Sequence, residues 1–187
     1  MVYSGASTVG GRSIYIASRA AADSDFVIMP LVDMTGLMSI FTAATFAPPN
    51  PMDGAGTAHL IAAGTLGAGG DQALYDVAYN EQIYTIISIN MIALVNGPTA
   101  PDKPHLTPDG LQLYFEGTAH GSVGLFVASR TSIDDPFTYA VELSELASSG
   151  TNAYTGGAWV APGGRTMYFT QQTGNIDRIY VTTRANL

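Results

Sequence analysis

The chain has 187 residues, of which 47% are hydrophobic and only 12% are charged, a balance that excludes intrinsic disorder and favours one folded domain. Fifteen acidic residues against seven lysines and arginines leave a net charge of −8, which opposes binding to nucleic acid and to anionic membrane surfaces. Cysteine is absent, so the sequence offers neither disulfide bonds nor a thiolate nucleophile.

No segment of the sequence is predicted to insert into a membrane. The first five residues lack the basic and apolar regions of a signal peptide, so none is visible in this chain. The longest apolar run, residues 83–95, contains four polar residues and is too short to span a bilayer. Its β-branched content predicts a buried strand that enters a loop.

A strand motif near the start of the chain recurs twice further on. The sequences IYIASR, LFVASR and IYVTTR end at Arg19, Arg130 and Arg184, and these arginines stand 111 and 54 positions apart. Because 111 is close to twice 54, we infer an internal repeat with one more copy between the first two. Acidic residues follow Arg19 and Arg130, which predicts a local ion pair in each of these copies.

The second copy is degenerate. Asp53 and Gly54 form its predicted turn, residues 59–62 and 74–78 form strands, and the glycine-rich residues 64–70 form a flexible loop between them. This loop lacks the Gly-Lys-Ser/Thr ending of a phosphate-binding loop and does not lead into a helical pattern. Phosphate binding is therefore not predicted there.

The clearest copy occupies residues 104–130 and reads as strand, tight turn, strand, loop and strand. In its turn, Pro108 presets the backbone angle φ, Asp109 is able to bond its own backbone, and Gly110 accepts a positive φ. This turn chemistry predicts a structural role for Asp109. The same pattern returns at residues 161–164 and predicts a fourth copy.

The three segments between copies each have room for a fourth strand, predicted over residues 27–32, 82–89 and 139–143, and the last copy has no such strand. Four short strands per unit of roughly fifty residues predict an all-β fold, namely a β-propeller of about four four-stranded antiparallel blades. The predicted blades of this single domain span approximately residues 1–36, 37–92, 93–146 and 147–187, and the first and last are incomplete. Three arrangements stay open: part of a larger propeller, an unusually small closed ring, or a homodimer formed through the incomplete blades.

Residues 106–115 (LTPDGLQLYF) and 124–137 (GLFVASRTSIDDPF) resemble the WD-like propeller repeat of TolB and of many bacterial envelope proteins. The resemblance covers nearly all of residues 101–187 and, more weakly, residues 1–30. It implies propeller architecture and a bacterial periplasmic or extracellular location. Related repeats occur in non-catalytic binding modules, in propellers that gate peptidases and in some polysaccharide lyases, so the resemblance does not choose among functions.

His105 and Trp159 occupy the same position in successive copies, on what should be the innermost strand beside a central channel. Two interpretations are open. The rings pack between blades, or they bind a ligand such as a sugar at the mouth of the channel. His59 and His120 lack the spacing of a metal site, so neither a metal nor another cofactor is predicted.

Two acidic residues are the candidate catalytic residues. Glu116 breaks the pattern of small residues after the second strand, and Asp102 leads into the inner strand. Asp134 and Asp135 invite comparison with the carboxyl couple of a glycosidase. Asp135 has a counterpart in Asp25, however, and recurrence from blade to blade favours a structural role.

We therefore predict a non-catalytic binding or interaction module that recognises a glycan or a protein partner. The alternative is a carbohydrate-active enzyme, a polysaccharide lyase or glycoside hydrolase, whose site lies in the channel near His105, Trp159, Asp102 and Glu116. The sequence contains no nucleophile elbow, His-Glu-x-x-His motif or EF-hand loop in support of hydrolysis.

Overall fold

The computed structural model describes residues 2–6, 12–33, 39–49, 54–67, 70–149 and 153–183. Its regular structure is β-strand apart from one 3-10 turn, Ser144–Leu146, so the predicted all-β class is confirmed. The strands are β1 Val2–Ala6, β2 Arg12–Ser18, β3 Val27–Pro30, β4 Val32–Asp33, β5 Ser39–Phe46, β6 Thr57–Leu66, β7 Ala73–Asn80, β8 Thr85–Met91, β9 Thr99–Leu106, β10 Gln112–Ala119, β11 Ser122–Ser129, β12 Ala140–Glu142, β13 Tyr154–Val160, β14 Thr166–Thr173 and β15 Ile176–Thr183.

The strands form four antiparallel meanders in succession. The first meander is β1 to β3, the second β5 to β8, the third β9 to β12 and the fourth β13 to β15. The short strand β4 extends the second meander by pairing in parallel with β8. A single parallel bridge between Val123 and Tyr154 joins the third and fourth meanders. The described part of the chain therefore has three hydrogen-bonded sheets, where the sequence predicts four separate blades.

The turn between β9 and β10 shows how a short polar sequence sets strand pairing. The Thr107 hydroxyl donates to Asp109 Oδ1 at 2.6 Å, and the Leu111 amide donates to the same oxygen at 3.0 Å. These bonds, that of Thr107 first, lower the pKa of Asp109. Gly110 has a φ of 73°, and a Cβ there would lie 2.5 Å from Pro48 Cγ. Asp109 is thus structural, as its turn chemistry predicts.

Successive meanders pack face to face, and each pair of neighbours shares a hydrophobic cluster. Between the first and second meanders lie Ile14, Ile16, Leu60, Tyr75 and Val77. Between the second and third lie Ile61, Ala63, Leu74, Phe115 and Phe126. Between the third and fourth lie Tyr114, Leu125, Ala158, Val160 and Phe169. Because side chains alternate along a strand, adjacent residues such as Tyr114 and Phe115 enter different clusters.

The first strands of three meanders lie side by side. Strand β9 contacts both β5 and β13, which brings polar residues of the second, third and fourth meanders together. The first meander packs on β5 through β1 and β2. Among the described elements, no extensive contact joins the first meander to the fourth, so they do not form a closed ring.

Two segments differ from the sequence-based prediction. Strand β6 continues to Leu66, so residues 64–66 of the predicted glycine-rich loop belong to a strand. Residues 83–95 do not form a buried strand, because Ile83, Ile87 and Met91 are exposed while Ile86 is buried. A run of apolar residues does not show which of its side chains a neighbouring meander will cover.

In the described copies, the arginine that recurs in the repeat contacts an aromatic ring instead of forming the predicted ion pair. Arg130 Nε donates to the Gly110 carbonyl at 2.7 Å, and the guanidinium lies 4.6 Å from the centre of the Phe137 ring. The Asp135 carboxylate instead accepts a hydrogen bond from the Thr131 hydroxyl. The first copy has the same contact, because the Arg19 guanidinium lies 5.0 Å from the centre of the Phe26 ring, so these two copies share the stacking of a cation on an aromatic ring.

Candidate functional site

The rings of His105, Trp159 and Tyr168 form a row where the third and fourth meanders meet. His105 lies on β9 and Trp159 on β13, and their ring centroids are 6.2 Å apart. Tyr168 pairs with Trp159 across β13 and β14, with the centroids 5.7 Å apart. Trp159 is 47% exposed. The structure therefore brings the two ring residues from the sequence analysis together and adds a third.

The imidazole of His105 carries an unsatisfied nitrogen. Its Nε2 is buried and has no hydrogen-bond partner within the described ranges. Burial lowers the pKa of His105 below its usual value, and a hydrogen bond with the Val160 backbone offsets only part of this shift. The ring is neutral near pH 7, and its unsatisfied nitrogen is unusual because buried polar groups in folded proteins nearly always have partners.

The environment of His105 predicts a pH-dependent stability. Its folded-state pKa lies below the unfolded value of about 6.5, so the unfolded chain takes up this proton first as the pH falls. The contribution of His105 to the free energy of unfolding is thus fully present above about pH 6.5. It is lost as the pH falls toward the pKa of His105 in the folded chain. We expect the free energy of unfolding to drop more between pH values of about 7 and about 5 in the wild-type chain than in His105→Phe, measured by urea denaturation. Equal drops would contradict the lowered pKa.

The buried carboxylate of Glu116 contacts Tyr154, which is half-buried, and Lys103, whose side chain is 51% exposed. Lys103 Nζ lies 3.1 Å from Glu116 Oε1 and donates to the Tyr154 hydroxyl at 2.8 Å, while this hydroxyl donates to Glu116 Oε2. Burial alone would lower the pKa of Lys103, but its bonds to Tyr154 and Glu116 outweigh burial and raise it. Burial, followed by the bond to Glu116, raises the pKa of Tyr154. The cluster is thus an ion pair of Lys103 and Glu116, whose opposite charges cancel, together with a neutral tyrosine.

Backbone irregularities bring this cluster together. Strand β9 shifts its register against β10 on both sides of Glu116, and Ala100 and Lys103 have positive φ values of 49° and 46°. Strand β13 has its own irregularity after Gly156, where a Cβ would lie 2.0 Å from Glu116 Oε2. Positive φ is unfavourable for alanine and lysine, and bulges of this kind redirect side chains beside functional sites.

Asp102 is also engaged within the protein. Its Oδ1 accepts from the Thr42 hydroxyl at 2.6 Å and from the Lys103 amide at 2.9 Å. Gln72 Nε2 donates to the Pro101 carbonyl at 3.1 Å, which adds a second tie between the second and third meanders. Asp102 and Glu116 are paired in register across β9 and β10, but each carboxylate already has protein partners. Each carboxylate therefore ties parts of the fold together, and a general acid or base role for either one stays a prediction.

The other histidines lie away from the ring row. His59 Nδ1 contacts Asp76 Oδ1 at 2.6 Å, across β6 and β7. His120 is exposed in the turn between β10 and β11. The residues that the structure describes contain no group of three His, Cys, Asp or Glu side chains suited to a metal ion. Over the same residues, no helix has the length and apolar character needed to cross a membrane.

The sequence analysis did not single out three residues of the ring row and of the cluster around Glu116, namely Tyr168, Lys103 and Tyr154. Tyr168 had a usable signal, because it stands 54 positions after Tyr114 in the repeat. Lys103 and Tyr154 had none, since they are 51 residues apart and meet only when β9 and β13 lie side by side. Long-range polar contacts of this kind leave no local pattern.

No protein-family model matches the sequence, and a comparison with curated proteins also finds no match. The resemblance to WD-like propeller repeats therefore rests on the motifs within residues 101–187. Function is therefore inferred from two observations, the ring row and the cluster of Lys103, Glu116 and Tyr154.

Proposed function

We propose that the four meanders are blades of a TolB-like β-propeller. Three features support this assignment: every meander is antiparallel, successive meanders pack face to face, and β9 lies between the first strands of its neighbours. Within the described part of the chain the proposed ring is open between the first and fourth meanders.

We further propose that this module is non-catalytic and binds a glycan at His105 and Trp159. The observation that carries the proposal is the indole of Trp159, nearly half exposed between the buried residues Ala158 and Val160. The rings of His105 and Tyr168 flank this indole, with centroids 6.2 Å and 5.7 Å from it. A rigid aromatic ring with one open face offers an apolar surface for a sugar ring at little entropic cost.

The buried Nε2 of His105 gives the same site a polar group. An unsatisfied buried nitrogen destabilises the folded chain by about 1–3 kcal/mol. A ligand hydroxyl that reached Nε2 beside the indole would form a new hydrogen bond and remove this penalty. One indole beside one imidazole matches a sugar unit in size, whereas a stable protein interface buries about 800 Å² on each partner. A glycan is therefore favoured over a protein partner.

The test uses the fact that Trp159 is the only tryptophan in the chain. Titration with neutral and acidic oligosaccharides is expected to shift the tryptophan emission to shorter wavelength and to reduce its quenching by acrylamide. By calorimetry, Trp159→Ala should lower the affinity for the same glycan at least about tenfold. The matched control is Tyr139→Ala, an exposed aromatic residue on the third meander, which should bind like the wild type.

Two results would overturn this proposal. One is an emission spectrum that no glycan of the panel changes at saturating concentration. The other is a Trp159→Ala variant that binds with wild-type affinity. As part of the same proposal we place the protein in the bacterial periplasm or outside the cell, where glycans of the cell envelope are accessible.

A carbohydrate-active enzyme is the second candidate, favoured by the Lys103, Glu116 and Tyr154 cluster. Shifted pKa values and strained backbone concentrate at functional sites, and this cluster has both. Release of unsaturated or reducing sugar ends from the panel, abolished by Glu116→Gln, would replace the binding proposal by this one. Glycan binding without product release, unchanged in Glu116→Gln, would support the binding module.

A further inference from the structure

A cleft opens between the first and second meanders. Its volume is about 520 Å³, within the range of about 300–1,000 Å³ that is usual for small-molecule sites. The first meander lines it with the end of β2 and the turn between β2 and β3, and the second lines it with the end of β5, with β7 and with the turn after β7. The ring row of His105, Trp159 and Tyr168 lies elsewhere, on the third and fourth meanders.

Much of the cleft is apolar and aromatic. It is lined by three buried residues, Ile16, Ala17 and Tyr79. Three further aromatic rings line it, those of Phe26, Phe46 and Tyr84. Phe26 and Phe46 are 44% and 39% exposed, so both rings keep surface that a ligand can cover. A planar apolar group is the part of a ligand that such a lining accommodates.

Arg19 and Glu81 bring opposite charges to the same cleft. Both residues are exposed, and within the described ranges neither a hydrogen bond nor an ion pair joins them. The Arg19 guanidinium lies 5.0 Å from the centre of the Phe26 ring and donates to the Ala22 carbonyl. A guanidinium has five N–H donors, so Arg19 keeps donors for a ligand beyond this bond.

The turn after β7 holds Glu81 beside the aromatic lining. The Tyr84 amide donates to the Asn80 carbonyl at 2.8 Å, and the Asn80 side chain accepts from the Gln82 amide at 2.8 Å. Tyr84 has a φ of 53°, an unfavourable value that is found more often at ligand sites than elsewhere. Burial first, and then the nearby Glu81 and Tyr84, raise the pKa of Tyr79 to about 12, so its hydroxyl stays protonated near pH 7.

We propose that this cleft binds a small zwitterion with an aromatic side chain, as an aromatic amino acid or dipeptide is. Arg19 pairs with the carboxylate of the ligand and Glu81 with its ammonium group, while the side chain packs on the aromatic lining. A ligand with a single charge would leave one of the two protein charges without a partner. A zwitterion is therefore favoured, and the inference does not depend on the proposed glycan site.

The first test is titration calorimetry with probes that differ by one group. Phenylalanine and phenylalanyl-glycine represent the two sources of the zwitterion, and the tighter of them identifies the natural class. Phenylpropanoate lacks the ammonium group, phenethylamine lacks the carboxylate, and glycine lacks the ring. Each of these three should bind at least about tenfold more weakly than the better zwitterion. If neither zwitterion binds at millimolar concentration, or if a singly charged probe binds as tightly, the proposal is wrong.

The second test assigns each charge to its partner. Arg19→Gln should bind phenylalanine and phenethylamine equally well, because the carboxylate has lost its partner, and Glu81→Gln should bind phenylalanine and phenylpropanoate equally well. The matched controls are Arg178→Gln and Glu145→Gln, which alter exposed charges on the fourth and third meanders and should keep the wild-type preferences. Preferences that survive in Arg19→Gln and Glu81→Gln would overturn the assignment.

One variant separates this site from the ring row. Trp159→Ala, which is expected to lose glycan affinity, should bind the zwitterion like the wild type, because Trp159 does not line this cleft. Loss of zwitterion binding in Trp159→Ala would place the zwitterion on the ring row and contradict the proposal.

Discussion

Replacing Gly156 by alanine is expected to lower the free energy of unfolding by about 2–4 kcal/mol. A Cβ at this position would lie 2.0 Å from Glu116 Oε2 and 2.6 Å from the Tyr154 hydroxyl. The carboxylate, whose side chain is 8% exposed, must then leave its position, and its contacts with Tyr154 and with the half-exposed Lys103 are weakened. The loss combines overpacking with a buried charge whose partners no longer reach it.

The loss of stability is measured by urea denaturation of two single variants, Gly156→Ala and Gly54→Ala, under the same conditions. Gly54 has open space around the position of a Cβ and is a matched control, expected to change stability by less than about 1 kcal/mol. If the carboxylate is the group displaced, the double variant Gly156→Ala with Glu116→Ala should lose less than the sum of the two single losses. A Gly156→Ala chain as stable as the control would show that β13 has room to shift away from Glu116.

Leu125→Ala is expected to cost about 2–5 kcal/mol, whereas Ile179→Ala should change the stability of the monomer by less than about 0.5 kcal/mol. The two residues stand 54 positions apart at the same place in the repeat. Leu125 is 1% exposed because the fourth meander covers it, and Ile179 is 79% exposed. Removal of Leu125 leaves a cavity beside Phe169, while removal of Ile179 leaves none.

Thermal or urea unfolding at dilutions that keep the chain monomeric gives both values under the same conditions. Leu125 and Ile179 occupy the same position in equivalent strands. The difference between the stability losses of the two variants therefore reports the burial that a neighbouring meander provides. A similar loss for the two variants would contradict the described packing of the third meander on the fourth. It would mean that something in the monomer covers Ile179 as well.

The sequence predicted most of the strands because their signals are local. The turn over residues 107–110 has a proline, an aspartate and a glycine at positions that only a tight turn explains, and β9, β10 and β11 follow around it. The fourth strands predicted at residues 82–89 and 139–143 also overlap β8 and β12. The merging of the third and fourth meanders through Val123 and Tyr154 was not predictable, because one bridge between distant residues leaves no periodic trace.

For the candidate site, the repeat alone was enough to single out His105 and Trp159, since equivalent positions of stacked units lie near each other. The sequence also singled out Asp102 and Glu116 as isolated acids. It did not show that Thr42 and Lys103 engage their carboxylates, because those partners come from another meander or from a bulged strand. Whether either acid takes part in chemistry stays a prediction.

The amino-acid sequence by itself determined the all-β class, the repeat and the positions of the tight turns, because alternation and turn chemistry act over a few neighbouring residues. Only the tertiary structure decided which equivalent residues are covered, as the contrast between Leu125 and Ile179 shows. It also decided that Lys103, Glu116 and Tyr154 form one cluster. Burial and charge pairing depend on which meanders stand side by side, and this arrangement is a property of the whole folded chain.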